Sequence, residues 1–319
     1  MSEELMRRIV ESLALPNGRP VGSAGHDRAR AYLLGQMEAA GLEGSDADCR
    51  FELPFRVGGQ EFCNLIGRLP GRDPTQNPML IGAHYDTHGE QPGADDNAAA
   101  IAIALTAIPQ LRDLGLQRTI LIAFFDSEEM PWYLSPRMGS IHFYREQRQE
   151  PIHFALIMDL VGHDVPLPGL QDLLFLTGME SDPGLESIVK DNRKTQGIRL
   201  VPTLNSYIGD LSDHHAFRLD RRPYLFFSCG HWEHYHQTTD TPEKLNYSKM
   251  ISIRDFLIAT IRQADASPLD GPFEGYNTTP TEIEFMKEAF EPYLQELGIQ
   301  LTSRPEVDKL VQSLLSMGL

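Results

Sequence analysis

The sequence predicts an α/β fold, a three-layer α/β/α arrangement around a central mixed, mostly parallel β-sheet, with a C-terminal helical extension. Three observations predict it. Short apolar runs such as Ile120-Leu121-Ile122-Ala123-Phe124-Phe125 suit strands covered on both faces. Helical patterns intervene at residues 97–111 and 185–194, as a sheet layered between helices requires. After Ala264 the texture changes, with Ser267-Pro268-Leu269-Asp270-Gly271-Pro272 reading as a turn-rich connector to two amphipathic stretches.

The elements follow in order. Residues 27–42 carry Ala29, Leu33, Met37 and Ala40 at the spacing of one helical face, and Gly41 sits where such a helix stops. Strands are predicted at residues 49–57, 61–68, 79–84, 119–125, 154–161, 173–176, 199–204 and 223–228. Residues 282–297 and 305–317 supply the helices of the extension. The expected division is a main domain over residues 1–265 and an extension over 266–319. The extension packs either as a tail on the main domain or on a second copy of the chain, which leaves a homo-oligomer open.

Composition narrows the partners. At 319 residues, 41% hydrophobic and 23% charged, the chain can bury a large core, and no apolar run nears the length that crosses a bilayer, so no membrane partner is expected. A formal charge of −17 argues against nucleic acid, whose phosphates are bound through clustered Lys and Arg. No uninterrupted apolar segment follows Met1-Ser2-Glu3-Glu4-Leu5-Met6-Arg7-Arg8, and Cys49, Cys63 and Cys229 form neither a CxxC pair nor an even disulfide set. Both features suit a cytoplasmic address, with the cysteines as small core residues.

Chemistry-bearing residues gather where apolar runs end. His84 and Asp86 follow the run 79–83; two residues apart on an extended chain they share a face, so Asp86 can fix the tautomer of the His84 ring. Pro92-Gly93-Ala94-Asp95-Asp96-Asn97 is a tight turn into an Ala-rich helix; one Asp can cap that helix while the other offers both oxygens to cations. The run 120–125 ends in Asp126-Ser127-Glu128-Glu129. Adjacent glutamates off a buried strand repel each other and lose hydration, a conflict that a metal resolves if one ligates and the other stays free as a base. Asp159 interrupts an apolar run and needs a partner, for which a cation is suited. The stretch 230–236 holds His231, His234 and His236, and position alone does not select among them. With imidazoles and carboxylates and no thiolates, zinc is favoured, and cobalt or manganese fit the same set.

In their order and wording these motifs resemble the M28 family of zinc aminopeptidases, which also contains the glutaminyl cyclases. The resemblance covers roughly residues 19–260, from Arg19-Pro20-Val21-Gly22-Ser23 to Tyr235-His236 through Asp240-Thr241. It implies two zinc ions per chain, one on His84 and Asp159, the other on Glu129 and His236, with Asp96 bridging. It further implies Glu128 as general base, Asp86 as the group orienting His84, and a peptide with a free N-terminus as substrate, cut at its first bond by a metal-activated water. The stretch Tyr207 to Phe217 resembles the family's Ser-Asp-His segment, which would bring Asp213 or His214 to the active site and make Tyr207 an oxyanion donor; alternatively Ser212 and Asp213 cap a helix at 213–219. Two departures stand out: Ala99-Ala100 replaces a usual Ser-Gly pair, and residues 130–137 form a longer aromatic loop expected to edge the pocket. A glutaminyl cyclase-like cyclotransferase and a non-catalytic scaffold are the alternatives.

Overall fold

Each predicted apolar run forms a strand in the computed structural model, which describes residues 3–45, 48–273 and 275–316. The strands are β1 (Glu43–Gly44), β2 (Glu52–Val57), β3 (Gln60–Leu69), β4 (Met79–His84), β5 (Ile120–Phe125), β6 (Phe154–Met158), β7 (Leu173–Thr177), β8 (Arg199–Thr203) and β9 (Tyr224–Ser228). They make one sheet in the order β1-β3-β5-β4-β6-β9-β7-β8, with β2 paired to β3. The central strands β5, β4, β6 and β9 run parallel; β3 and β7 flank them antiparallel, so the sheet is mixed.

The helices are α1 (Glu3–Leu13), α2 (Ala24–Ala39), α3 (Ala100–Leu114), α4 (Gly139–His142), α5 (Pro183–Asp191), α6 (Asn205–Ile208), α7 (His215–Leu219), α8 (Tyr247–Ala266), α9 (Thr279–Leu297) and α10 (Arg304–Ser316). Strand alternation divides the core between two faces. Met79, Ile81 and Ala83 of β4 face a large cluster shared with α1, α3, α8 and α9, while Leu80 faces a smaller one that includes Ile141 of α4 and Phe217 of α7. Both faces being covered explains why β4, β5 and β6 read as continuous apolar runs: all their residues are buried.

Boundaries differ from the predicted ones for local reasons. Helix α2 starts earlier, at Ala24, because the Ser23 side chain accepts a hydrogen bond from the His26 backbone N–H. Of the stretch 305–317, residue 317 lies outside the described residues. Helices α1, α4, α6 and α8 are additional to the prediction; α8 packs on α1 and α3. Cys63 and Cys229 are buried, whereas Cys49 is exposed, which corrects its assignment to the core. Helices α9 and α10 contribute Phe285, Phe290, Val307 and Val311 to the same cluster as the sheet. Among the described residues, no helix is long and apolar enough to cross a membrane.

Candidate metal centre

The register places the polar residues level at one end of the parallel strands, the rim where open α/β sheets bind ligands. His84 ends β4 opposite Phe125 of β5, and Gly82 pairs Ile157 of β6, so two residues on His84 and Asp159 come side by side. Ser127, Leu160 and His236 each adopt a left-handed backbone (φ 54°, 54° and 55°), a conformation uncommon for non-glycine residues and concentrated where chains must turn sharply at a site. They turn the chain between Asp126 and Glu128, after Asp159, and at the imidazole itself.

Asp96 lies at the centre. Its Oδ1 is 3.1 Å from His84 Nε2 and its Oδ2 is 3.2 Å from His236 Nε2, so one carboxylate faces two imidazoles with separate oxygens. Around the first imidazole, Asp159 Oδ1 is 3.6 Å and Glu128 Oε2 4.0 Å from His84 Nε2, and Asp86 Oδ1 is 3.4 Å from Nδ1. Around the second, Glu129 Oε2 is 3.3 Å from His236 Nε2.

Other side chains fix these positions. Asp86 accepts the backbone N–H groups of Glu128 and Glu129, each at 3.1 Å, so it spans β4 and the β5 turn as well as approaching His84. Asp240 accepts the N–H groups of Asp95 and Asp96 and thereby ties the His236 segment to the central turn. Asp95 does not cap the Ala-rich helix: it accepts the Gly162 N–H at 2.6 Å and pairs with His163 Nδ1 at 2.6 Å, anchoring the chain beyond Asp159. Ser212 donates to Asp159 Oδ2 at 2.8 Å. Gly93 (φ 61°) opens the turn because a Cβ there would sit 2.3 Å from the Asp96 carbonyl oxygen. Arg19, 1% exposed, donates to the carbonyls of Leu13, Tyr85, Pro92, Gly93 and Asp96, and burial lowers its pKa to about 10.

Protonation follows from crowding acids in a dry place. Burial drives the Glu128 carboxyl well above its ordinary range, with Glu129, Asp159 and Asp213 adding to the effect against His84. Burial and the charge of Asp96 push Glu129 up to about 8. His236 rises to about 10: burial opposes its charge, but the bonds to Asp96 and Glu129 outweigh it. Burial alone would raise Asp96 as well; the two imidazoles reverse that and hold it well below the carboxylate range.

These residues fit a cation. His84 is fully buried yet neither ring nitrogen makes a well-formed hydrogen bond, and Asp159 Oδ1 and Glu129 Oε1 are likewise without partners. Buried polar atoms are rarely left so, and carboxylates of one sign packed together need a counter-charge. Among the described residues, His84–Asp96–Asp159, His84–Glu128–Glu129 and His88–Glu129–His236 each bring donor atoms within 4.8 Å of one another.

Not every residue expected at the site belongs to its surface. Tyr207 lines the adjoining cavity, but its hydroxyl donates to Asp308 and accepts from Arg304 at 2.8 Å, so it is not a free oxyanion donor. Asp213 and His214 are fully buried and do not line that cavity. Asp213 is held near 7 by burial foremost; His214 stacks on Phe226 and is lowered to about 4 by burial. Ser212 and Asp213 do not cap α7 either. His231 lines the cavity, and His234 bonds to Thr239 at 2.8 Å. One neighbour was not anticipated: His88 stacks on His236 at 4.2 Å with Nδ1 3.6 Å from Glu129. The aromatic loop does edge the cavity, through Met130 and Tyr133.

The sequence profile of peptidase family M28 matches residues 64–261. A probable leucine aminopeptidase of Arthroderma otae is 26% identical over 178 residues, which are 51% of this chain and 45% of that one, so the match spans less than half of the fungal protein. Among solved structures, a leucine aminopeptidase precursor from Bacteroides thetaiotaomicron is 17% identical, with a TM-score of 0.65 over 82% of this chain and 97% of that one. Tannerella forsythia glutaminyl cyclase is 16% identical, with a TM-score of 0.66 over 82% and 98%. At these identities the structural likeness speaks to the fold.

Proposed function

The chain belongs to peptidase family M28, and from that membership and the paired cradle around Asp96 we propose that it is a di-zinc aminopeptidase acting on peptides with a free N-terminus. His84 and Asp159 would hold one ion, Glu129 and His236 the other, with Asp96 shared between them; cobalt or manganese suit the same donors. When bound, the ions supply Lewis acidity toward water and the scissile carbonyl.

The chain's own residues do the rest. Glu128 sits 4.0 Å from His84 Nε2 and is the acid left over once the ion-facing donors are assigned. Its carboxylate takes the proton of the attacking water and returns it to the leaving amine. Asp86 positions both glutamates through their backbone N–H groups while its Oδ1 faces His84 Nδ1, which turns Nε2 toward the cradle.

The observation that carries this reading is the Asp96 carboxylate divided between two imidazoles, His84 and His236, an arrangement suited to two ions sharing one acid. The zinc-loaded chain is expected to release N-terminal residues from aminoacyl reporters, and to cyclise a glutaminyl peptide slowly or not at all in a parallel assay. Preferential cyclisation would move the chain to the cyclase side of the family. A well-folded chain that binds no zinc would sink both enzymatic readings and leave the scaffold.

A further inference from the structure

The cradle occupies one end of a cavity of about 480 Å³, a volume suited to an amino-acid side chain with the start of a peptide. The lining carboxylates are Asp96, Glu128, Glu129 and Asp159, and with His236 they all lie at the cradle. The rest of the wall is largely apolar. Phe175 and Phe226 come from the sheet, Ile208 from α6, and Val311, Leu314 and Leu315 from α10. Thr177 and Thr203 also line it, but their hydroxyls lie 3.1 Å apart and satisfy each other.

Helix α10 is fastened to this wall. Arg304, at its start, donates to both carboxylate oxygens of Glu282 at 2.7 and 2.5 Å, and Glu282 is fully buried in α9. The same guanidinium donates to the hydroxyl of Tyr207, itself a lining residue, and that hydroxyl donates to Asp308 of α10. The family match ends at residue 261, so the ligand-bearing rim lies within it and the α10 wall lies beyond it.

We propose that α10 is the specificity element of the site: Val311, Leu314 and Leu315 close an apolar chamber that admits an uncharged, bulky apolar N-terminal side chain of the size of Leu or Phe. The substrate class rests on the aminopeptidase reading above. Charged side chains are excluded because the chamber has no counter-charge beyond the cradle. Small side chains lose because they leave apolar wall uncovered; a single methylene in such a pocket changes kcat/KM by about 10- to 200-fold.

Two measurements on the full chain test this. The first is kcat/KM of the zinc-loaded protein for Ala, Leu, Phe, Gln, Glu and Lys reporter amides. Leu and Phe are expected to exceed Ala by at least about 10-fold and Glu or Lys by at least about 100-fold. The second, free of turnover, is calorimetric binding of L-leucine, L-phenylalanine and L-glutamate. Leu314→Trp, which fills the chamber, is expected to lower the Leu:Ala ratio and L-leucine affinity at least about 10-fold. Leu315→Trp, at a less buried position, gives the same reading should the first variant fail to fold. If no amide is cut but L-leucine binds and either Trp variant removes that binding, the chamber stands and the peptidase reading falls. If amides are cut but Glu or Lys is preferred, or a folded Trp variant keeps the wild-type ratio, the chamber inference is overturned and the peptidase reading survives.

Discussion

The two imidazoles of the centre sit in opposite settings. His84 ends a strand paired on both sides, with its side chain 1% exposed; His236 is a left-handed loop residue, 25% exposed, stacked between His88 and Tyr235. The sheet register itself aligns His84 with Asp159, whereas the His236 pole depends on side-chain ties, chiefly Asp240 to the N–H groups of Asp95 and Asp96. A pole built on strands is held to tighter positions than one built on a loop. The difference teaches that the two poles are held unequally, the His84 pole by the sheet and the His236 pole by side-chain ties, so on the proposed two-ion reading the ion at the His236 pole is expected to be the more readily lost.

The largest expected effect lies between the poles. Glu128→Gln should lower kcat by about 10²- to 10⁴-fold while zinc content stays at the wild-type value. Retention of most activity would remove Glu128 from the base role, and loss of zinc would make it a ligand. Next in size, His84→Ala should abolish the tight ion, whereas His236→Ala should leave one tight ion in place, read by elemental analysis after gel filtration. Equal losses in both variants would erase the distinction between poles. Smaller again, Asp240→Asn should weaken the second ion about 10- to 100-fold in a zinc titration, as removal of outer hydrogen-bonding partners typically does. An equal weakening of the first ion would show that the loop ties serve both poles.

The smallest effect is in pH. Glu129, at about 8 in the fold against an ordinary 4.5, and His236, at about 10 against 6.5, are both raised. A raised group contributes stability that is complete below its ordinary pKa and lost as pH climbs through the folded one. The metal-free chain should therefore lose thermal stability between about pH 5 and about pH 10, while the increment added by zinc, which needs both groups deprotonated, should grow over the same window. A zinc increment that shrinks with pH would contradict this.

The contrast between poles also marks what was legible in the sequence. His84 and Asp159 directly follow apolar runs, and Glu128 and Glu129 follow another after Asp126-Ser127; once those runs form parallel strands their ends must meet at one rim. Helix α8 was missed although its signal is present, since Met250, Ile253, Leu257, Ile261 and Ala264 keep helical spacing and are all buried. What local pattern does not carry is the tertiary closure. Asp95 looks like a cap but reaches across to Gly162 and His163; Ser212 looks like a cap but bonds to Asp159; His88 meets His236 across more than a hundred residues of chain. Tyr207 resembles a catalytic donor until α10, from the far end of the chain, takes up its hydroxyl.

The most direct test of the central claim is a calorimetric zinc titration of the metal-free chain beside Asp96→Ala. Two ions per wild-type chain, bound in two resolved steps, with both steps weakened in the variant, is the predicted result. One ion in the wild type, or two undiminished ions in Asp96→Ala, would contradict a centre shared across that carboxylate.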